Sequence, residues 1–324
     1  MESDFQEIGG KLSKLHRSPD KQVFKPPMVI VNQGFSHMAY CEFPVLFQHA
    51  LQSISGPPED KNLLKFLAAV LNSRLAIYFL FHISANWGTE RDKVHLFELM
   101  RMPFPLPEET HNPLRSKDLI IKVADHIDDL MKAVHKGLFG RENIIEETQE
   151  AIEPLLYDYY EVSEREKILI EDTNKIFEPS STPASLTIPI PALRRSSNKD
   201  RMDYVESLCK VLNTWAKRGQ IRVSGETRLS TSIGLGIVSL QKGERVKPYS
   251  ESSAIDKFES ALKRIKQALP KQVGRTTYFR GLKIFEENQL HIIKPLELRH
   301  WTKTAALNDA DELAASILST SRID

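Results

Sequence analysis

Four side chains able to read or grip a polyanion crowd into the turn Ser84-Ala85-Asn86-Trp87-Gly88-Thr89-Glu90-Arg91-Asp92-Lys93. Arginine can donate two parallel hydrogen bonds to guanine O6 and N7, asparagine can serve adenine in the same way, and lysine more often meets phosphate. Asn86, Trp87, Arg91 and Lys93 are therefore candidate contacts to nucleic acid. A plainer reading stands beside this one: Trp87 plugs a core, and Glu90-Arg91-Asp92-Lys93 is a surface ion-pair turn of little energetic weight.

Catalytic arrangements are missing from the sequence. An amino-methyltransferase acting on a flipped adenine needs an Asn/Asp-Pro-Pro-Tyr/Phe turn for the exocyclic amine and a glycine-rich strand turn for S-adenosylmethionine. Pro26-Pro27 and Pro57-Pro58 follow Lys25 and Gly56, so neither pair supplies the side-chain acceptor. No Asp followed by Glu-x-Lys in a strand context suggests a metal nuclease. The ten histidines include no i,i+3 or i,i+4 pair, which argues against a helical zinc site. Gly234-Leu235-Gly236 echoes a dinucleotide loop but lies in an apolar strand with no helix signal after it, so a bulge is the expected reading.

The elements that must position the turn follow from periodicity. Leu63 to Ile83 is apolar on almost every turn, with Lys65 and Arg74 its only charges, and reads as a core helix. Asn72-Ser73-Arg74 at its middle argues against a membrane span. Gly88 can stop the helix. Val94 to Met102 then reads as an irregular strand, and Pro103, Pro105 and Pro107 enforce an extended segment. Upstream, Met28–Val31 and Ala39–Phe47 read as strands and Ile54–Asp60 as a loop, making a small sheet for the helix. Downstream, Ser116–Leu138 is amphipathic with Ser116 as cap, Ile144–Tyr160 is a second helix, and a helical tail follows to Asp172.

Leu71-Asn72-Ser73-Arg74-Leu75, then Trp87-Gly88, then Glu90-Arg91-Asp92-Lys93-Val94, then Met102-Pro103-Phe104-Pro105-Leu106-Pro107 resembles the C-terminal half of a target-recognition domain from adenine-N6 DNA methyltransferases of restriction-modification and phage-defence systems. The resemblance covers about residues 20–178. It implies sequence-specific binding of duplex DNA without catalysis, a partner subunit that carries the methyltransferase domain and its S-adenosylmethionine, and no cofactor in this chain. It also implies that the helices after residue 111 form a spacer or docking surface; the alternative reading is an ordinary helical hairpin that closes the domain. The chain begins inside that fold, as if the first half were short or supplied by another protein. Leu290–Leu296, Arg299–Thr302 and Ala305–Asp311 resemble a C-terminal extension of some such methylases, to which no activity attaches.

At 324 residues, 41% hydrophobic and 27% charged, the chain has room for two globular cores. The expected class is α+β: a target-recognition-like small sheet with packed helices (1–110), a helical spacer (111–177), a proline- and serine-rich linker (178–199) and a second α+β domain (200–324). Cys41 and Cys209 lie far apart, and the first residues lack a signal-peptide core, so a reduced, cytoplasmic setting is expected.

Net charge is only +1, yet residues 142–178 hold twelve acidic side chains against three basic ones, while 192–222 and 263–303 are strongly basic. The linker's Arg194 and Arg195, with Lys217, Arg218, Arg222, Arg228, Arg275, Arg280, Lys283 and Arg299 beyond it, are candidate phosphate contacts if they share a face. The second domain reads as a helix Met202–Lys217 with Trp215 inward, strands Ile221–Val223 and Ile233–Leu240, and a helix Ala254–Leu269 with Leu262 inward. A hairpin around Glu286–Asn288 and a final helix capped by Asn308 or Asp309 follow.

The expected function is a noncatalytic specificity subunit that directs a separate adenine methyltransferase, and restriction partners with it, to a DNA sequence in antiviral defence. The alternatives are a structural adaptor whose helices hold partner proteins together, and an enzyme with its site in the second domain.

Overall fold

A computed structural model describes residues 21–34, 38–47, 51–87, 93–136, 140–181, 189–215, 221–268, 282–285 and 289–320. It is a mixed α+β chain dividing into two compact units, one of Met1–Asn174 plus Ser181–Pro183 and one of Lys175–Ser180 plus Ala184–Asp324.

Unit 1 begins with strands β1 (Met28–Asn32), β2 (Ala39–Cys41) and β3 (Leu51–Ser55), in the antiparallel order β2-β1-β3. β3 corrects the loop expected from Ile54. Leu51-Gln52-Ser53-Ile54-Ser55 carries a weak alternation that only pairing with β1 makes into a strand.

The long core helix is two helices, α1 (Lys61–Leu71) and α2 (Arg74–Ile83), bent by 62°. Two polar residues make the break. The Asn72 amide donates to the carbonyls of Met38 (2.9 Å) and Ala68 (2.7 Å) and its Oδ1 accepts from Met38 N (3.0 Å), so it ties the end of α1 to the residue before β2. Ser73 Oγ caps α2 by accepting from Ala76 N. Among the described residues no single helix is long and apolar enough to cross a membrane.

α1 is buried on two sides, as its composition predicts. Leu64, Ala68 and Leu71 face the sheet, while Phe66, Ala69 and Val70 face α4 (Pro113–Lys136) and α5 (Arg141–Tyr159). That second face is why the helices after residue 111 are not a separate domain: Leu119, Ile120, Val123, Ile152 and Leu156 complete the core that α1 begins. Asn112 Oδ1, not Ser116, caps α4 by accepting from Arg115 N, and Ser116 is buried within the helix. The charges of the apolar run are paired, Lys65 with Asp128 at 2.6 Å and Arg74 with Glu150.

Between α2 and α4, the expected strand at Val94–Met102 is a short helix, α3 (Leu96–Leu99). The proline segment is extended as expected. Its carbonyls are taken by tyrosines of the α5 end, Pro105 by Tyr159 (2.7 Å) and Pro103 by Tyr160 (3.0 Å). α6 (Glu164–Asp172), a π turn at Thr173–Phe177 and α7 (Glu178–Ser181) follow.

Unit 2 is a five-stranded sheet in the order β6-β4-β5-β8-β7, from β4 (Arg222–Ser230), β5 (Leu235–Gly243), β6 (Ser250–Ser252), β7 (Leu282–Phe285) and β8 (Gln289–Pro295). Only β6 runs parallel to its neighbour, and no sequence signal announced it. The expected hairpin is present as β7 and β8. One sheet face packs on α8 (Asn198–Trp215) and α10 (Lys303–Thr320) through Tyr204, Leu208, Val238, Ile292, Trp301 and Leu313. The other face meets Phe258 and Ala261 of α9 (Ile255–Ala268) through Ile237 and Ile284.

Trp215 and Leu262, expected inward, are both exposed: Trp215 lies at the open end of α8, and Ala261 takes the inward position on α9. α10 starts five residues before the expected cap, with Thr302 Oγ1 accepting from Ala305 N. The dinucleotide echo is a turn rather than a bulge. Gly234 has φ +68° in the β4–β5 turn, and Gly236 leaves room for the Trp301 ring, which an added Cβ would meet at 2.7 Å.

Residues read as linker are partly structured. Arg195 bridges to Glu297, Ser196 N donates to the Leu296 carbonyl at 2.7 Å, and Leu298 N donates to the Arg194 carbonyl at 2.8 Å, so this stretch belongs to unit 2. Residues 182–188 of the linker lie outside the described residues.

Candidate functional site

A buried carboxylate fixes the polar turn. Glu98, 1% exposed, accepts from Ala85 N (2.9 Å), Ser84 Oγ (3.1 Å) and His95 N (2.8 Å). Burial opposes the charge, but these hydrogen bonds outweigh it and hold the carboxyl below its ordinary value. One side chain thus ties the end of α2 to the start of α3, and explains why a helix replaces the expected strand. It also sets the termini of the turn. Sequence reasoning missed it because two of its three donors, Ser84 Oγ and Ala85 N, depend on the chain folding back.

Within the turn, Asn86 Nδ2 lies 2.9 Å from His95 Nε2. Trp87 is half-buried, packed against the core of unit 1 with its ring edge-on to Phe81 at 6.1 Å. Its indole therefore does packing work, the plainer of the two readings. Lys93 is exposed, and its carbonyl accepts from Ser84 Oγ. Arg91 lies outside the described residues.

The basic candidates of unit 2 are dispersed. Arg194 is engaged by both carboxylate oxygens of Asp200, at 2.8 and 3.0 Å, and Arg195 donates to the Thr231 carbonyl. Arg228 pairs with Glu226, and Arg299 with Glu297 at 2.6 Å. Register separates Arg222 from Lys283. Lys283 lies opposite Ile292, which lies opposite Val238 and then Thr227, five residues from Arg222. Odd spacing along β4 puts Arg222 and Lys283 on opposite faces of the sheet. Lys217, Arg218, Arg275 and Arg280 lie outside the described residues.

Tertiary structure assembles two constellations that sequence spacing did not reveal. Asp309, at mid-helix in α10, accepts from Tyr204 Oη (2.6 Å) and pairs with Lys294 (2.5 Å) and Lys283 (3.2 Å). Lys283 also pairs with Glu312, and the Lys294 ammonium sits 4.4 Å from the centre of the Tyr204 ring. Burial raises the Asp309 carboxyl, but Lys294, its hydrogen bonds and Lys283 bring it below the ordinary range. Burial pushes the Lys294 ammonium down and the Tyr204 phenol well up. The cluster staples α10 to the sheet and α8.

The second constellation is Ser239 Oγ, 2.9 Å from His291 Nδ1, with Arg228 alongside at 3.5 Å. A serine beside an imidazole can form a nucleophile and base, but these residues are 0% and 1% exposed and a substrate has no path to them.

A cavity of about 510 Å³ lies between α8, β4 and the segment before β6, lined by Val205, Cys209, Asn213, Gly225 and Tyr249 among others. Burial pushes its Cys209 thiol up to about 12, so the thiol is inert at neutral pH. Among the described residues no group of three or more His, Cys, Asp or Glu is placed to hold a metal ion.

Fold and site together define the class as a two-unit α+β protein with a carboxylate-fixed polar turn. Comparison with protein-family models, curated proteins and solved structures finds no match.

Proposed function

We propose that the chain is a noncatalytic DNA specificity subunit that directs a partner adenine-N6 methyltransferase, carrying S-adenosylmethionine, and restriction machinery with it, to duplex DNA in bacterial antiviral defence. The resemblance of residues 20–178 to a target-recognition domain suggests the reading. The observation that supports it most is the charge of the described segment that follows the fixed turn. Between Lys93 and Pro107 the exposed charges are Lys93 and Arg101, while the one acid there, Glu98, is buried and occupied by three donors. Such a segment presents cations to a phosphate backbone without a competing anion of its own.

A second reading, a structural adaptor, draws on α4. Leu114 and Ile121, seven residues apart on one stripe, are 83% and 49% exposed and offer an apolar edge to a partner protein.

The experiment is a methylome of the source cell with and without the gene, read for N6-methyladenine at single bases. Loss of one methylated motif is the expected result and names the target. An unchanged methylome counts against the specificity role and favours the adaptor.

A further inference from the structure

Helix α3 has two faces of opposite character. Glu98 and Leu99 are buried, whereas Leu96, Phe97 and Met100 stand 48%, 65% and 72% exposed. Large apolar side chains gathered on a surface forgo the burial that drives folding, and such gatherings mark contact sites. The patch is also held rigidly. Phe97 stacks on His95 with ring centroids 5.5 Å apart and planes within 11°, Asn86 holds His95, and Glu98 ties down the backbone beneath.

The charges around the patch say what covers it. Lys93 and Arg101 flank it and are exposed, and neither meets a carboxylate among the described residues. An apolar centre whose exposed charges among the described residues 93–101 are both cations suits a polyanion whose interior is apolar, and stacked base pairs between phosphate chains fit that description. Proteins that deform DNA insert Phe, Leu and Met side chains between base steps in this manner.

We propose that Leu96, Phe97 and Met100 form an apolar wedge that enters a base step of duplex DNA while Lys93 and Arg101 hold the phosphates beside it. The wedge rests on the DNA-binding reading above. It adds to that reading a deformation of the duplex, which pairing of a flat surface with phosphates does not produce.

The test uses the intact chain in two assays, binding to a short duplex of random sequence and relaxation of closed circular plasmid by a topoisomerase in the presence of the protein. An inserted wedge unwinds the duplex, so the deproteinised plasmid carries altered linking number. The wild-type chain is expected to shift the topoisomers. The triple variant Leu96→Ala, Phe97→Ala, Met100→Ala should lose the shift while keeping the wild-type slope of log affinity against log salt, because that slope counts phosphate contacts.

The double variant Lys93→Ala, Arg101→Ala should weaken binding and lower the slope of log affinity against log salt by about 1.8, two phosphate contacts' worth. The side chains of the triple variant are exposed, so its stability should stay within about 0.5 kcal/mol of wild type and a lost shift is not a folding defect. Duplex binding without a topoisomer shift, or a shift that the triple variant keeps, overturns the wedge and leaves DNA binding standing. Absence of duplex binding by the wild-type chain overturns both. A triple variant that unwinds like wild type but loses self-association in sedimentation overturns the wedge and assigns the patch to a protein contact.

Discussion

Asp309 shows how much one buried carboxylate can organise. It holds Tyr204 of α8, Lys294 of β8 and Lys283 of β7, and it sits on α10, so four elements meet at one side chain. Asp309→Asn keeps the shape but leaves two ammonium groups facing a neutral amide, and should destabilise unit 2 by about 3–5 kcal/mol in urea unfolding. The pH dependence follows from the sign of the shift. The folded carboxyl lies below its ordinary value, so its contribution is complete above the unfolded value near pH ~4 and is lost as pH falls through the lower folded value. Unfolding midpoints should therefore drop on acidification below about pH 4, and Asp309→Asn should flatten that part of the profile. A variant profile parallel to wild type would assign the acid sensitivity to other carboxylates.

At the scale of elements, the break between α1 and α2 decides the architecture of unit 1. A continuous helix would carry α2 away from the sheet. Instead Asn72 spends its amide on Met38 and Ala68, and Ser73 starts a new helix whose first N–H groups include Arg74 N, donating to Glu153 at 3.1 Å. Asn72→Ala leaves buried backbone groups of Met38 without these partners and should cost roughly 2–4 kcal/mol by chemical denaturation. A change under about 0.5 kcal/mol would mean that water or a neighbouring group replaces the amide.

The apolar pattern of residues 63–83 was legible in the sequence, as were the amphipathic stripe of α4 and the hairpin of β7 and β8. The bend was not, because Asn72 and Ser73 read equally well as polar residues tolerated within a helix. Their partners lie 34 residues away at Met38 and three away at Val70.

For the whole molecule, the charge distribution matters more than its total. The acidic stretch 142–178 spans α5 and α6, away in sequence from the cationic segment 93–107. If about three phosphates are neutralised on binding, the affinity of the intact chain for duplex DNA should fall about 40-fold between roughly 50 and 200 mM salt. A salt-independent interaction would instead point to apolar contact and favour the adaptor reading. The basic residues of unit 2 contribute less to a common surface than their number suggests. Arg194, Arg195, Arg228, Lys283 and Arg299 each bind groups of their own unit, and Arg222 and Lys283 occupy opposite sheet faces.

The sequence by itself determined the α+β class, the buried nature of α1, the extended proline segment and the location of a polar turn after α2, because periodicity and proline geometry act over a few residues. Tertiary structure decided which polar residues meet. Glu98 gathers donors from both ends of the turn, Asp309 gathers cations from two strands, and Ser239 reaches His291 across 52 residues. It also decided that residues 111–174 belong to unit 1, with α4 and α5 packed on the face of α1 that the sheet leaves free, and that Arg194 and Arg195 are part of unit 2. Such pairings depend on long-range register and packing, and a buried charge has no signature in sequence until its partner's position is known.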